Sequence, residues 1–348
     1  MKLTRSQLIV LIALGVLIIG VYGCLVSTIV RSSRQVSSVQ SLTAQAGEVA
    51  LSPTPTPTAT PIPTPTPIPP APQTRYDLEI ARDPQNPTLH LQRGYSYITL
   101  KAYTYAVEDF DAAIDLQPTM TEAYLGRGQA RYYLKEWSPA VADFEQALTL
   151  NPDLAEAHAW RGHLLSERGM HVPALEALRQ AVALDERDAW KHVLLAQALL
   201  RSASPEEAKV EYTAALALEP RSIEAYVGRA MAYAEQGDLE AAQADLYSAL
   251  DISPYDRVAL NGQAWLYAWY RHDHLAEAEQ LAKRAAAGAE DDLERARYLH
   301  TLGWAYYQQD RFIEAVTVLE QAAALATVEG EVVYGEIQEH LEQAKAPQ

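Results

Sequence analysis

Few residues of this chain have the types and spacing that chemistry at a site would require. His272 and His274, separated by Asp273, are the only histidines spaced as metal ligands are, and an exposed polar loop explains them better than a metal site does. Cys24 is the only cysteine and lies in an apolar stretch. The chain therefore offers neither an internal disulfide nor a zinc site of the cysteine-rich kind.

Catalytic motifs are also missing from the sequence. It contains no Walker A loop, no glycine-rich dinucleotide turn and no HExxH. There is no G-x-S-x-G nucleophile elbow either. We therefore expect no enzyme activity, no cofactor, no bound metal and no small-molecule substrate.

The dominant feature of the sequence is a regular internal period. Pro84, Pro118, Pro152, Pro220 and Pro254 are separated by one constant interval or by twice that interval. Small residues recur with the same period at the eighth, twentieth and twenty-seventh positions of units that begin at residue 87, and large apolar residues recur at the twenty-fourth. This pattern predicts paired helices that approach closely at the small residues and stack on the next pair through the large ones.

The pattern resembles the tetratricopeptide repeat, a helix–turn–helix unit of about 34 residues. The resemblance covers residues 87–325 and implies an all-α fold, an α-α superhelix or solenoid of about seven helical hairpins. An array over 75–330 is expected, with two extra residues in the 271–275 loop, and a capping helix over 331–345. The expected units lie near 87–120, 121–154, 155–188, 189–222, 223–256, 257–292 and 296–329.

Local signals refine the expected hairpins. Gly169 and Gly237 are predicted to lie in the turns between helices, and Ser204 to Glu207 has the pattern of a capping box. Tyr76, Leu78 and Ile80 are expected to form a short lead-in. Arginines at the seventh position of four units are expected to pair with acidic neighbours inside the hairpins: Arg93, Arg127, Arg161 and Arg229.

The resemblance also implies where a partner would bind, because in this family the first helix of each hairpin lines the concave side. Positions 5, 9, 12 and 13 of each unit form the stripe expected to face that groove. The candidate binding residues on it are Tyr95, Gln129, Tyr132, Tyr133, His163, Gln197, Arg201, Trp265, Trp269, Trp304 and Tyr307.

The aromatic members of the stripe fall into two clusters, one near each end of the array. Tyr and Trp dominate binding hot spots, so we expect these clusters to grip an extended or helical peptide of a partner protein. The alternative is that they pack one hairpin against the next. The Lys/Asn/Arg clamp with which some family members bind a C-terminal carboxylate is not present, since Arg201 is the only basic residue on the stripe.

Charge is distributed unevenly along the chain. Residues 1–73 carry a net charge of +3, whereas residues 74–348, with 24 basic and 44 acidic residues, carry −20. A polyanion would be repelled by such a surface, so nucleic-acid binding is not expected.

The N-terminal segment predicts a membrane anchor after a short tail over 1–7. Residues 8–30 form an uncharged apolar run that is long enough, as a helix, to cross a bilayer, and it is longer than the core of a signal peptide. The alternative is a lipoprotein, because residues 21–24 (Val-Tyr-Gly-Cys) loosely resemble a lipobox, although Tyr22 is bulky where a small residue is expected.

A linker rich in proline and threonine is predicted over 31–74. Residues 53–72 hold ten prolines and six threonines, a composition that favours extended polyproline II. Such a stalk holds a domain away from a surface, whether or not its threonines carry sugar. We therefore expect a single-pass membrane protein with an extracytoplasmic repeat array that binds a protein or peptide partner. The alternative function is a structural or assembly factor of an envelope complex that acts by self-association.

Overall fold

The computed structural model describes residues 74–326 and 331–346. The predicted tail over 1–7, the anchor over 8–30 and linker residues 31–73 lie outside the described residues. Within the described part, no helix combines the length and the apolar character needed to cross a membrane.

The described part of the chain is built of helices joined by short turns. Its sixteen α-helices are α1 Asp77–Arg82, α2 Pro87–Thr99, α3 Tyr103–Leu116, α4 Thr121–Tyr133, α5 Trp137–Leu150, α6 Ala155–Glu167, α7 His171–Leu184, α8 Ala189–Arg201, α9 Pro205–Leu218, α10 Ile223–Glu235, α11 Leu239–Ile252, α12 Arg257–Trp269, α13 Leu275–Ala287, α14 Asp292–Tyr307, α15 Phe312–Ala326 and α16 Glu331–Lys345. A 3₁₀ turn, His272–His274, precedes α13.

Helices α2 to α15 form seven hairpins, which we number 1 to 7 in chain order. The two helices of each hairpin contact each other, and the second helix of a hairpin contacts the first helix of the next. The first helices of neighbouring hairpins also contact one another. The predicted solenoid of about seven hairpins is therefore observed.

Close packing inside a hairpin explains the small residue at the eighth position. A Cβ added to Gly128 would lie 2.5 Å from the ring of Phe144, which is fully buried in the partner helix. A Cβ added to Gly94 would likewise lie 2.7 Å from the ring of Phe110. Glycine lets the two backbones approach around a large apolar side chain.

The turn inside the hairpin places the fifteenth residue of every unit except the sixth in the left-handed region, since Arg271 has φ of −116°. Gly169 and Gly237 occupy it with φ of 71° and 81°, as predicted for turn glycines. Lys101, Lys135 and Ala203 adopt the same conformation with a side chain, at φ of 56°, 63° and 54°. The fold therefore imposes this backbone conformation even where no glycine is present.

The predicted capping box at Ser204 does not form. The Ser204 hydroxyl is directed to the Ser202 carbonyl oxygen, 3.5 Å away, and accepts no bond from the start of α9. Other helices have the side-chain caps that α9 lacks. Asp256, for example, accepts from the backbone N–H groups of Val258 and Ala259, both at 2.9 Å.

The arginines at the seventh position pair with the second helix of their own hairpin, as predicted, in three of the four cases. Arg93 donates to Asp109, Arg127 to Asp143 and Arg229 to Asp245, each with a contact of 2.7 Å. Arg161 has no such carboxylate because Ala177 occupies the equivalent position, and its Nε is buried without a hydrogen-bond partner.

The two ends of the array are closed as expected. At the start, Tyr76 and Ile80 are buried beside α2, although Leu78 points to solvent. At the other end, Ile337 and Leu341 of α16 are buried against hairpin 7. Helix α14 begins at Asp292, four residues before the predicted start of its unit.

Candidate protein-binding face

The first helices of successive hairpins contact one another and form one face of the array, which we call the concave face after the family resemblance. Three of its predicted binding residues, all at the ninth position, tie one hairpin to the next. The Tyr95 hydroxyl donates to the Glu122 carbonyl oxygen at 3.0 Å, and Gln197 donates to Glu224 at 2.6 Å. Gln129, which is buried, donates to Glu156 at 3.5 Å. These contacts match the alternative in which stripe residues pack the array.

Tyr132 and Tyr133 belong to a larger group of rings than the sequence indicated. We define the N-terminal aromatic cluster as Tyr103, Tyr132, Tyr133, Trp137, Trp160 and Trp190. Tyr103 and Tyr133 stack at 4.6 Å, and Trp160 meets Tyr132 and Trp190 at 5.4 Å each. Tyr133 is 41% exposed, so the cluster presents an aromatic surface to solvent.

Four members of this cluster were missed by the sequence analysis because they lie off the chosen stripe. Tyr103 and Trp137 begin the second helices of hairpins 1 and 2 and are one repeat apart. Trp160 and Trp190 occupy the sixth and second positions of their units. The repeat period could have revealed the first pair, since both are aromatic at the same position.

A polar network lies beside the N-terminal aromatic cluster. The Tyr132 hydroxyl donates to Glu167 at 2.7 Å and lies 3.0 Å from His163 Nε2. Burial raises the pKa of Tyr132, and the negative charge of Glu167 raises it further. Burial also lowers the pKa of His163, which keeps the imidazole neutral. Tyr132 and His163 therefore both stay uncharged near neutral pH and offer hydrogen-bonding groups on this part of the wall.

Arg201 reaches toward the same network from hairpin 4. Its Nη1 donates to the hydroxyl of the buried Ser166 at 3.1 Å. Solvent contacts the Arg201 side chain, but protein surrounds the guanidinium on several sides, as expected on a concave wall. This desolvation lowers the pKa of Arg201, and the positive charge of Arg297 lowers it further.

Residues from the far end of the array face this wall. Arg297, on α14, is close enough for its charge to act on Tyr132, His163 and Arg201. The positive charges of Arg297 and Arg201 in turn act to lower the pKa of Glu336, on α16. Lys101 also approaches Glu290, in the loop before α14, to 3.9 Å. Charged groups of hairpin 7, α16 and the loop before α14 therefore lie near hairpins 1 to 4.

One end of the second predicted aromatic cluster is covered by helix α16. Trp269 packs on Trp304 at 5.5 Å, and Trp304 stacks on Tyr307 at 4.8 Å. Trp265 continues the row, 6.2 Å from Trp269. The ring of His340, from α16, lies 4.1 Å from that of Trp304. Helix α16 therefore does more than cap the last hairpin, because it also lies over the Trp304 end of this row.

A histidine pair joins α16 to α14 at this point. His300 Nε2 and His340 Nδ1 are 2.6 Å apart, which requires at least one proton-free nitrogen between them. Burial and the charge of His340 lower the pKa of His300 to about 3. Burial likewise lowers the pKa of His340. Both imidazoles are therefore neutral when α16 is docked.

His272 and His274 do not belong to a larger group of potential metal ligands within the described residues. His274 stacks on Tyr267 at 4.6 Å, and the loop that carries it and His272 is mostly exposed. No group of three or more potential metal ligands occurs within residues 74–326 and 331–346. The concave face is thus an aromatic and hydrogen-bonding surface.

Stacked hairpins of this length define an α-α solenoid, and comparisons with known proteins identify its repeat. Family models described as tetratricopeptide repeats match residues 87–120, 128–169, 193–257 and 296–327. The chain therefore contains tetratricopeptide repeats, which are typical of protein–protein interaction scaffolds. None of the curated proteins is significantly similar to the chain.

Several solved structures are similar to this one. A tetratricopeptide repeat protein from Parabacteroides merdae ATCC 43184 is 15% identical, with a TM-score of 0.60 over 75% of this chain and 99% of that one. The Cut9–Hcn1 hetero-tetramer of the APC/C contains a chain that is 15% identical, with a TM-score of 0.59 over 78% of this chain and 51% of that one. TTC0263, a thermophilic protein from Thermus thermophilus, is 27% identical over 52% of this chain and 98% of that one, with a TM-score of 0.46. The first two share the fold.

Proposed function

We propose that this chain is a non-catalytic scaffold that is tethered to a membrane and binds an extended segment of a partner protein along its concave face. The observation that carries the proposal is the N-terminal aromatic cluster, whose rings line the concave wall and whose Tyr133 is 41% exposed. Aromatic side chains bury a large area and lose few rotors on binding, so an open group of them favours a binding surface.

The space beside the cluster favours an extended ligand over a helical one. Arg297 acts electrostatically on residues of hairpins 2, 3 and 4, so its side chain lies close to the opposite wall. A helix with its side chains is about 10–12 Å across, whereas an extended chain is slimmer. We therefore propose an extended segment, the slimmer of the two, as the ligand.

Membrane tethering is part of the proposal and rests on the sequence of residues 8–30. Their uncharged apolar character supports a single-pass anchor, and the proline-rich linker supports an extracytoplasmic array held clear of the bilayer. Protease protection of intact cells or vesicles tests the orientation: an accessible array supports it, and a protected array overturns it.

Site-specific photo-crosslinking in native membranes tests partner binding. A photo-reactive amino acid replaces Tyr133 in the full chain, and a matched control replaces Tyr255, which is 82% exposed and lies in the turn between α11 and α12. We expect a distinct protein to be crosslinked from position 133 and not from position 255. Equal crosslinking from both positions, or none from 133, would contradict the proposal. Crosslinks only between copies of this chain would favour the assembly function.

A further inference from the structure

We propose that the surface of hairpin 7 under α16, including Trp304, is a second protein-binding surface of this chain. Helix α16 is its releasable cover, and an amphipathic helix of a partner protein binds there in place of α16. This inference goes beyond the proposed function, which concerns the N-terminal aromatic cluster. The resident helix defines the shape and the chemistry of the ligand that fits.

The contact between α16 and hairpin 7 shows which kind of helix the surface accepts. Three residues of α16 spaced i, i+4 and i+7 form one buried apolar stripe: Ile337, Leu341 and Ala344. The stripe belongs to the same buried core as the helices of hairpin 7. Beside it, the ring of His340 lies 4.1 Å from Trp304 and 5.8 Å from Trp269. A partner helix with the same apolar stripe therefore matches this surface.

A glycine inside α16 weakens the helix without a packing reason. The other glycines inside the described helices each make room for a neighbour, because an added Cβ would lie 2.2–2.9 Å from a side chain. A Cβ added to Gly335 would meet nothing within 4 Å, and the residue is exposed. Glycine in a helix lowers the equilibrium constant for helix formation about fivefold relative to alanine. Gly335 therefore keeps α16 easy to release.

Polar groups in the contact also make α16 an imperfect occupant. Trp304 Nε1 is buried without a hydrogen-bond partner although the ring of His340 lies close to the indole. An unsatisfied buried donor costs free energy. Lys345 of α16 pairs with Glu320 at 3.0 Å, but both side chains are exposed, so the pair is weak. A partner helix that accepts a hydrogen bond from Trp304 gains an interaction that α16 does not make.

A peptide titration with the full chain in detergent tests the surface. The probe is a fluorescently labelled synthetic peptide of residues 331–345, which carries the stripe of α16. Ile337→Asp in the chain puts a carboxylate at a fully buried position and should release α16. We expect saturable peptide binding to this released chain. Apparent binding to the natural chain should be about tenfold weaker or more, because docked α16 fills the site.

Further variants assign the peptide to the proposed surface. Leu341→Asp should release α16 as Ile337→Asp does, which guards against one variant folding poorly. In the released chain, Trp304→Ala should weaken peptide binding about tenfold. Tyr255→Ala, at an exposed turn residue, is the matched control and should leave binding unchanged. A peptide that itself carries Ile337→Asp should not bind. Circular dichroism during thermal melting confirms that each variant is folded.

Gly335→Ala in the natural chain tests whether α16 is a releasable cover. The added methyl group meets no neighbour, so it should stabilise the helix alone. We expect amide hydrogen exchange in α16 to slow about fivefold and apparent peptide binding to weaken by a similar factor. Glu339→Gln, at an exposed residue of the same helix, is the control and should change neither value.

Several outcomes would overturn the inference. They are absence of peptide binding to the released chain, equal binding to the natural and released chains, and binding that ignores Trp304→Ala. An unchanged exchange rate in Gly335→Ala would contradict the release of α16. Concentration-dependent dimers of the natural chain that vanish with Ile337→Asp overturn it as well, because the occupant is then α16 of a second copy. Crosslinking from position 133 uses a different surface, so the proposed function is tested separately.

Discussion

Hairpins 2 and 3 follow the same plan, yet they satisfy their buried cationic groups differently. In hairpin 2, Asp143 is nearly fully buried and accepts from Arg127 and Arg131, each with a contact of 2.7 Å. In hairpin 3, Ala177 stands at the equivalent position, and His158 Nδ1 and Arg161 Nε are buried without a hydrogen-bond partner. Asp143 therefore gives hairpin 2 a carboxylate partner that Arg161 lacks in hairpin 3, although Arg131 Nε of hairpin 2 is also buried without a hydrogen-bond partner.

This contrast shows where a repeat array is weak. Stability in a solenoid is roughly a sum over hairpins and their interfaces, so a local deficit remains local. Unsatisfied buried polar groups cost free energy that hydrogen-bonded ones do not. Hairpin 3 should therefore open more readily than hairpin 2, and it carries Trp160, at the centre of the N-terminal aromatic cluster.

Asp143→Ala should have the largest effect, because it gives hairpin 2 the deficit of hairpin 3. Removing the carboxylate takes the buried shared partner from two arginines, which keep only the more exposed Asp111 and Glu136, and we expect a loss of about 3 kcal/mol in the free energy of unfolding. Urea unfolding of the purified chain measures it. Asp115→Ala, at an exposed carboxylate of α3, is the control and should change stability by about 0.5 kcal/mol or less. Equal effects of the two variants would contradict the pairing argument.

Acidification tests the other buried imidazoles without a carboxylate partner, His300 and His340. The folded pKa of His300 lies below its ordinary value of 6.5, so its contribution to the docking of α16 is present above pH 6.5 and is lost as pH falls toward its folded pKa of about 3. We expect docking to weaken by about 2 kcal/mol near pH 5, as followed by amide hydrogen exchange in α16.

Charged groups around the pair modify this response. Glu336 and Glu339 share α16 with His340, while Arg297 and Arg201 face Glu336 from α14 and α8. Burial raises the pKa of Glu336, so its protonation in the docked state offsets part of the loss as the pH falls. His300→Phe keeps an aromatic ring beside Trp269 and removes the imidazole whose pKa is strongly lowered. It should flatten the pH dependence, and an unchanged pH profile in this variant would refute the role of His300.

Ala177→Asp should give hairpin 3 the carboxylate that hairpin 2 has in Asp143, and so remove the difference between the two hairpins. The new carboxylate would lie where Asp143 lies in hairpin 2 and could accept from Arg161. We expect a gain of about 1 kcal/mol in the free energy of unfolding, since the orphaned Nε–H of Arg161 becomes satisfied. Ala177→Asn has the same shape without the charge and should gain less. A loss of stability with both variants would show that the site has no room for the side chain.

The smallest expected effect on stability comes from the turn between the two helices of a hairpin. At the same position of this turn, hairpin 4 has an alanine and hairpin 5 has a glycine. Ala203 holds φ at 54°, whereas Gly237 holds it at 81° with no atom within 4 Å of an added Cβ. Ala203→Gly should therefore stabilise by about 0.5–1 kcal/mol, and Gly237→Ala should destabilise by a similar amount. Thermal melting reports both, and changes of the same sign would contradict a purely backbone origin.

Most of the fold could be predicted because the signals of a repeat are local in the chain. The constant period locates each helix, and pairs such as Arg127 and Asp143 meet because both residues face the inside of one hairpin. The capping box at Ser204 failed because the orientation of a hydroxyl depends on turn geometry that the residue types do not specify.

The candidate site was predicted less completely, for two physical reasons. A stripe of four positions omitted Trp160 and Trp190, which enter the concave face from neighbouring positions on the helix. The proximity of residues from distant hairpins, such as Arg297 and Arg201, depends on the pitch of the array accumulated over several hairpins. No local spacing in the sequence encodes that pitch. The placement of His340 over Trp304 depends in the same way on the path of the chain after α15.

The contact between Lys101 and Glu290 has a consequence for how fast a partner can bind. Both side chains are largely exposed, so their attraction is weakly stabilising and is screened by salt. The link between hairpin 1 and the loop before α14 is so weak that thermal bending of the array alone can separate these two parts. The rate at which a ligand is captured should then rise with ionic strength, the reverse of ordinary electrostatic steering.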